Sequence, residues 1–216
     1  MDKLKIKINK KIFVFLFVLM LMGIIAGSIF TTILNSSDKE LVINHLNEFI
    51  DNINNNKLDY LFALKNNLIT NISYVILIWL LGISVIGLPI IIIMFFTKCF
   101  ILGFSVGAVL TTFKLKGILI SLVYVFPGQV ISLLFLLLLM MYSMSFTFKM
   151  IYAILKKKSI DFKLIMNKYF KILLIVLGVI ILMSLYDTYL MPRLIKLLIP
   201  FIIWYNVFGE NVWKKL

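Results

Sequence analysis

Few residues in this sequence have the chemistry that catalysis requires. The chain contains one histidine, His45, and one cysteine, Cys99, among its 216 residues. Proteolysis within a membrane needs a nucleophile with a base, paired carboxylates, or metal ligands such as an H-E-x-x-H motif. Ser84 lies in a Gly-Ile-Ser-Val-Ile-Gly run, but no apolar segment contains a histidine that would activate it. The sequence therefore predicts no catalytic, cofactor-binding or metal-binding residues, and we expect no enzyme activity.

Carboxylates are equally scarce in the apolar part of the chain. No aspartate or glutamate occurs between Asp59 and Asp161, whereas proton-coupled transporters carry ionisable groups within their spans. Asp187 is the only acid in a predicted span, about one helical turn from the end of that span. Two interpretations of Asp187 are open: a contact with Arg193 or with a partner's cation, or an ordinary residue at the membrane interface.

Long apolar blocks must position these residues. The chain is 62% hydrophobic and has a mean hydropathy of +1.09, which is more apolar surface than a soluble domain of this size can bury. We predict an all-α fold: a polytopic membrane bundle of about five spans with kinked or broken helices. The predicted spans of this single membrane domain are residues 12–34, 72–96, 99–113, 117–151 with a break near 127, and 169–190.

The positive charge of the chain indicates contact with lipid. The formal net charge is +13, and lysines cluster at the ends of apolar blocks, where they meet phospholipid head groups and fix orientation. Arg193 is the only arginine, so the side chains that bind phosphates and bases in a bidentate manner are missing. We expect membrane lipid as a partner, no nucleic acid and no small-molecule substrate. The lysines before the first span predict a cytoplasmic N-terminus.

Two segments lie outside the predicted spans. Residues 35–71 contain His45 and five of the nine acids, and their apolar residues recur at helical spacing. This spacing predicts two short amphipathic helices on the extracytoplasmic side, separated near residues 52–56. For the tail, residues 194–216, we predict a helix in the membrane interface, with a sixth span as the alternative.

Two glycine pairs have the spacing of helix contacts in lipid. Gly23 with Gly27, and Gly103 with Gly107, each place two glycines on one face of a helix, which allows close approach of another helix. The sequence leaves open whether these faces join spans of one chain or dock a partner.

Two prolines predict irregular helices. Pro89 follows Gly87 and Leu88 and predicts a kink in the second span. Pro127, Gly128 and Gln129 predict a break at membrane depth, where protein or a watery cavity would satisfy the unpaired backbone groups and Gln129 would supply a hydrogen bond. A plain proline kink is the alternative.

Several of these segments together resemble a known family. Trp79-Leu-Leu-Gly82-Ile-Ser84-Val-Ile-Gly87-Leu-Pro89, followed by Lys98-Cys-Phe-Ile-Leu-Gly103-Phe-Ser-Val-Gly107, resembles the central region of the stage II sporulation protein M family. The resemblance extends in collinear order from about Phe13 to Pro192.

This resemblance implies a membrane protein of endospore-forming bacteria that is required for engulfment of the forespore. Members are similar in acting with two bitopic cell-wall hydrolases, stage II sporulation proteins D and P, which degrade septal peptidoglycan. The family has no recognised catalytic residues. It implies a non-catalytic scaffold in the bacterial cell membrane, at the sporulation septum or the mother-cell membrane.

The alternative function is a small permease or channel gated near Pro127. Such a protein needs a polar path through its bundle. The sequence offers few candidates for that path, namely Ser84, Ser105, Gln129, Ser132 and Asp187.

Overall fold

The computed structural model describes residues 10–156 and 161–197, and this part of the chain is almost entirely helical, without strands. Its α-helices are α1 (Lys10–Ile33), α2 (Ser36–Asn54), α3 (Tyr60–Ile83), α4 (Gly87–Val125), α5 (Ile131–Lys156) and α6 (Phe162–Leu185). π-Helical turns precede α5, at Phe126–Val130, and follow α6, at Tyr186–Leu190.

Five stretches are long and apolar enough to cross a membrane: Lys10–Ile33, Tyr60–Ile83, Gly87–Lys114, Pro127–Lys156 and Phe162–Leu197. The predicted all-α fold of a multi-pass membrane protein is therefore confirmed. Residues 198–216, which make up most of the predicted interfacial tail, lie outside the described residues.

The predicted boundary between the second and third spans is wrong. We predicted spans 72–96 and 99–113, but α3 ends at Ile83 and α4 begins at Gly87. The chain turns between them, where the Ser84 amide donates to the Leu81 carbonyl and the Gly87 amide to the Ser84 carbonyl. Pro89 does not kink a span, because it lies in the first turn of α4, where a missing N–H group costs nothing. As a result, Lys98 lies inside α4 rather than at the end of a helix.

The second predicted amphipathic helix of residues 35–71 is also wrong. Helix α2 is the only separate helix in this segment, because the residues of the second predicted helix form the beginning of α3. Ile53, near the end of α2, is buried against Met191 and Ile195. Helix α3 begins at Tyr60 and is capped by Asp59, whose carboxylate accepts from two backbone amides of the first turn. A span that ends at Ile83 must begin this early, because roughly 20 residues are needed to cross a bilayer. Asn71 consequently lies inside a span.

The connection from α4 to α5 is irregular at two places. Lys114 has φ 51° and ψ −131°, so the span that begins at Gly87 ends there and a helical segment follows it to Val125. The predicted break near residue 127 corresponds to the π-helical turn Phe126–Val130, across which the backbone remains helical. The membrane-crossing stretch therefore begins at Pro127, instead of at residue 117.

The end of α3 is held by hydroxyl groups from α5 and α6. Thr147 Oγ1 donates to the Gly82 carbonyl at 2.6 Å, and the Tyr169 hydroxyl donates to the Trp79 carbonyl at 3.0 Å. The rings of Trp79 and Tyr169 stack at 5.6 Å, and a Cβ atom on Gly82 would lie 1.8 Å from Ser143 Oγ. We call these five residues the Gly82 cluster. They supply partners to carbonyl groups that the last turn of a helix leaves unpaired.

The core lies between α1, α3, α4, α5 and α6. Its fully buried side chains include Leu16, Ile78, Phe95, Leu139 and Val176. Many large apolar side chains are nevertheless exposed on the outer faces of the spans, for example Met22, Ile93 and Leu182. This distribution fits helices that meet lipid rather than water.

Candidate functional site

The four glycines of the predicted pairs lie between two helices of this chain. Gly23 and Gly27 of α1 face Gly103 and Gly107 of α4, and all four are buried. Because α1 occupies this face of α4, the glycines belong to internal packing, and the alternative that this face docks a partner is not supported.

Distances at this contact show how closely the backbones approach. A Cβ atom on Gly27 would lie 2.0 Å from the Phe100 carbonyl oxygen, and one on Gly103 would lie 2.0 Å from the Ile24 carbonyl oxygen. Ser28 Oγ crosses the interface and donates to the Gly103 carbonyl at 2.9 Å. Helix α1 is thereby fixed beside α4, the helix that carries Lys98.

A cavity of about 220 Å³ with a mixed polar and apolar lining lies between helices of the bundle. Its polar lining comes from α3, α4 and the beginning of the fourth span, and its apolar lining includes Leu102 and Ile180. The polar side chains are Asn71, Tyr74, Lys98, Ser105, Gln129 and Ser132. We call this site the Lys98 cavity.

Among the described residues, Lys98 is the only charged side chain that lines the cavity. Its Nζ atom donates to Asn71 Oδ1 at 3.1 Å and lies 5.5 Å from the centre of the Tyr74 ring. The Tyr74 hydroxyl in turn donates to the Met94 carbonyl. An ammonium group inside a membrane span is costly, and such residues usually serve function.

Asp187 lies immediately behind the cavity wall. Gln129, which lines the cavity, donates through Nε2 to Asp187 Oδ2 at 3.1 Å. A Cβ atom on Gly128 would lie 1.7 Å from Asp187 Oδ1, so glycine at this position lets the carboxylate approach the π-helical turn. Asp187 Oδ1 is buried, and no described residue donates a hydrogen bond to it. The structure thus joins the predicted break at Pro127 to the predicted intramembrane acid.

The two buried charges belong to one electrostatic environment. Lys98 and Asp187 interact electrostatically, but no ion pair within 4 Å joins these two described residues. Among the described residues no such pair joins Asp187 to Arg193 either, so the interpretation of Asp187 as an Arg193 contact is not supported. Both π-helical turns lie at this site, one carrying Gln129 and the other carrying Asp187. Turns of this kind are rare and occur frequently at functional sites.

The structure brings together some of the predicted polar residues and not others. Ser105, Gln129 and Ser132 line the cavity, whereas Ser84 lies exposed in the turn after α3. Sequence analysis missed Asn71 and Lys98, because it placed both outside the spans. One signal was available: polar residues lower the hydropathy of Tyr60–Ile83 to 1.5, yet the stretch is still apolar enough to cross a membrane.

The described residues contain no group of three or more His, Cys, Asp or Glu side chains that could hold a metal ion. His45 lies exposed on α2, with Nδ1 3.9 Å from a Glu48 carboxylate oxygen, and Cys99 is buried beside Gly23. The cavity offers hydrogen-bond donors and one positive charge.

The fold and the cavity define a multi-pass helical membrane protein. A family model for stage II sporulation protein M matches residues 16–192, and the chain therefore belongs to the stage II sporulation protein M family, a family of sporulation membrane proteins. Comparison with curated proteins and with solved structures returned no significant match.

Proposed function

We propose that this protein is a non-catalytic membrane scaffold that recruits and positions peptidoglycan hydrolases, stage II sporulation proteins D and P, for degradation of septal wall during engulfment. The observation that carries the proposal is the family match over residues 16–192, which includes every membrane-crossing stretch in part or whole. The scarcity of catalytic side chains in the sequence agrees with it, because a scaffold leaves the chemistry to its partners.

The distribution of charge supports an orientation for the scaffold. Lysines 10, 11, 156, 163 and 168 lie at the end of the bundle opposite α2, and the sequence has further lysines at 3, 5, 7, 157 and 158, before α1 and between α5 and α6. Fewer lysines, among them 39, 57, 114 and 196, lie toward the α2 end, together with acids 38, 40, 48, 51 and 59. Lysine-rich ends face the cytoplasm. In the proposed orientation, α2 therefore lies outside the cytoplasm, on the side where cell-wall hydrolases act, and the turn between α3 and α4 lies inside.

Helix α2 is the surface best placed to meet extracytoplasmic partners. Most of its side chains are exposed, including the apolar Leu41 and Ile43, and only Ile53 is buried. An exposed apolar patch on a helix can mark a contact with another protein or with the membrane. We propose that the hydrolases contact this exposed face.

Site-specific crosslinking tests the proposal. In a Cys99→Ala background, His45→Cys places a single thiol on the exposed face of α2, and Ile86→Cys places one in the exposed turn at the opposite end. In sporulating cells that make both hydrolases, His45→Cys should form a crosslink to a hydrolase. Ile86→Cys is the matched control and should form none.

The same variants report orientation through a membrane-impermeant maleimide, which should label His45→Cys in intact cells and leave Ile86→Cys unlabelled. Two results together would contradict docking at α2. One is a stable, correctly oriented His45→Cys protein that forms no crosslink to either hydrolase. The other is unchanged recovery of both hydrolases with the Leu41→Glu variant. The scaffold proposal also makes a prediction that does not depend on where the hydrolases dock. When the gene is deleted, both hydrolases should be lost from the septal membrane.

A small permease or channel is the second candidate, and the Lys98 cavity favours it. The polar lining at membrane depth would form part of a path for a solute or ion. Purified protein in liposomes should then raise the flux of ions or small polar solutes over that of empty liposomes. Ser132→Leu, which narrows the cavity, should abolish the flux, and wild-type protein without flux would exclude this function.

A further inference from the structure

We propose that the Lys98 cavity binds an anionic phosphate group, carried either by a lipid head group or by free phosphate. This proposal concerns a ligand of the protein and stands independently of hydrolase recruitment. It rests on the hydrogen-bonding groups that line the cavity, on the charge of Lys98 and on the available space.

The lining has unused donors next to a positive charge. An ammonium group has three N–H donors, and among the described residues Lys98 has a single hydrogen bond, to Asn71. Gln129 uses one amide N–H on Asp187 and keeps the other, and the Ser132 hydroxyl lines the cavity as a further donor or acceptor. Donors grouped around a cation can bind phosphate oxygens.

The other polar groups of the lining are already committed to the protein. The Tyr74 hydroxyl donates to Met94, the Ser105 hydroxyl donates to Ile101, and Asn71 donates to Asn67 while accepting from Lys98. These bonds hold Lys98 in place through Asn71 and the face of the Tyr74 ring. The donors that remain are therefore presented from two sides, by Lys98 on α4 and by Gln129 and Ser132 at the beginning of the fourth span.

Asp187 does not exclude an anion from the cavity. Its carboxylate is not part of the lining, and Gln129, which does line the cavity, occupies Oδ2. An anion in the cavity would be bound by hydrogen bonds as well as by the charge of Lys98. A cavity of about 220 Å³ far exceeds the ~10–15 Å³ that one water needs, so a phosphate group and some of its water fit.

The experiment uses purified full-length protein, delipidated in a maltoside detergent that contains no phosphate. Thermal unfolding is followed while one of three probes is titrated: inorganic phosphate, phosphatidylglycerol in mixed micelles, or a phosphate-free galactolipid as the neutral control. We expect a saturable rise in the unfolding temperature with phosphate or phosphatidylglycerol, and none with the galactolipid.

Two variants test whether the site is the Lys98 cavity. Lys98→Gln keeps a donor for Asn71 but removes the charge, and should weaken apparent affinity by about tenfold or more, as expected for a charge-assisted hydrogen bond. Lys171→Gln, an exposed lysine on α6, is the matched control and should bind as the wild type does.

The two supporting outcomes identify the source of the phosphate. A Lys98-dependent shift with inorganic phosphate indicates a free anion, and a Lys98-dependent shift with phosphatidylglycerol alone indicates a lipid head group. No shift with either probe, or an unchanged shift in folded Lys98→Gln protein, overturns the proposal. If Lys98→Gln does not fold, Ser132→Leu decides, because it fills the cavity and must abolish the shift; a shift that persists in this variant overturns the proposal.

Discussion

Two groups of polar side chains in the membrane-spanning bundle, the Gly82 cluster and the Lys98 cavity, are used differently. In the Gly82 cluster the groups are uncharged, and the hydroxyls of Thr147 and Tyr169 donate to carbonyls at the end of α3. In the Lys98 cavity a cation is present, donors are left over and about 220 Å³ of space remains. The first arrangement holds helices together, whereas the second is suited to receive a ligand.

The difference follows from what lipid permits. Carbonyl groups at a helix end that meets no water need donors from the protein, and close packing around small residues supplies them. A buried ammonium group does not stabilise the bundle in this way. Removing it from water costs more free energy than one hydrogen bond to an amide regains. We therefore expect changes in the Gly82 cluster to alter stability and changes in the Lys98 cavity to alter binding.

The largest expected effect comes from filling the Gly82 cluster. Gly82→Leu places its Cβ atom 1.8 Å from Ser143 Oγ and 2.4 Å from the Tyr169 hydroxyl, so α3 must separate from α5 and α6. We expect a loss of about 3 kcal/mol in the free energy of unfolding, measured by titration with a denaturing detergent. The control is Gly178→Leu, since a Cβ atom on Gly178 meets nothing within 4 Å. Equal stability of the two variants would contradict close packing at Gly82.

Removing one hydroxyl of the same cluster should have a smaller effect. Thr147→Val keeps the shape of the side chain but leaves the Gly82 carbonyl without the donor that lies at 2.6 Å. We expect a loss of about 1–2 kcal/mol in the same titration. Thr97→Val is a matched control, because the Thr97 hydroxyl bonds a carbonyl of its own helix at an exposed position. A similar loss of stability in both variants would show that the hydrogen bond from Thr147 to the Gly82 carbonyl contributes no more than a hydrogen bond within one exposed helix.

Much of the fold could be predicted from the sequence, because lipid imposes strong rules on composition. Apolar length predicted five spans, and the glycine pairs marked the contact between α1 and α4. Helix boundaries were harder. A lysine after an apolar run usually marks the end of a span, so Lys98 was placed outside the membrane.

Asn71 was misplaced for the same reason, and the cavity was missed with it. The partners that make these two positions tolerable lie on different helices: Lys98 bonds Asn71 across α4 and α3, and the ring of Tyr74 covers it. Contacts of this kind join residues that are distant in sequence, so no local pattern reveals them. The link between Gln129 and Asp187 was hidden in the same way, although the sequence marked each residue separately.

A third substitution tests whether the Lys98 cavity is built for binding rather than for stability. Lys98→Met removes a buried cation and keeps most of the side-chain volume, so we expect the free energy of unfolding to rise by about 1 kcal/mol in ligand-free detergent. The measurement is the same detergent titration. A loss of about 1 kcal/mol would instead place Lys98 with Thr147, as a residue that the bundle needs in order to fold.

The smallest expected effect is the coupling between the two charges at the cavity. Lys98 and Asp187 interact electrostatically without a direct ion pair, so Lys98→Met and Asp187→Asn should be non-additive by about 0.5 kcal/mol in a double-mutant cycle. Because Asn at position 187 retains an acceptor for Gln129, the substitution removes the negative charge of Asp187 without removing this hydrogen bond. The control cycle pairs Asp187→Asn with Lys171→Met and should be additive. Additivity in both cycles would mean that the charge of Asp187 does not act on the cavity. Asp187 would then serve to hold Gln129 in the cavity wall, as Thr147 holds the end of α3.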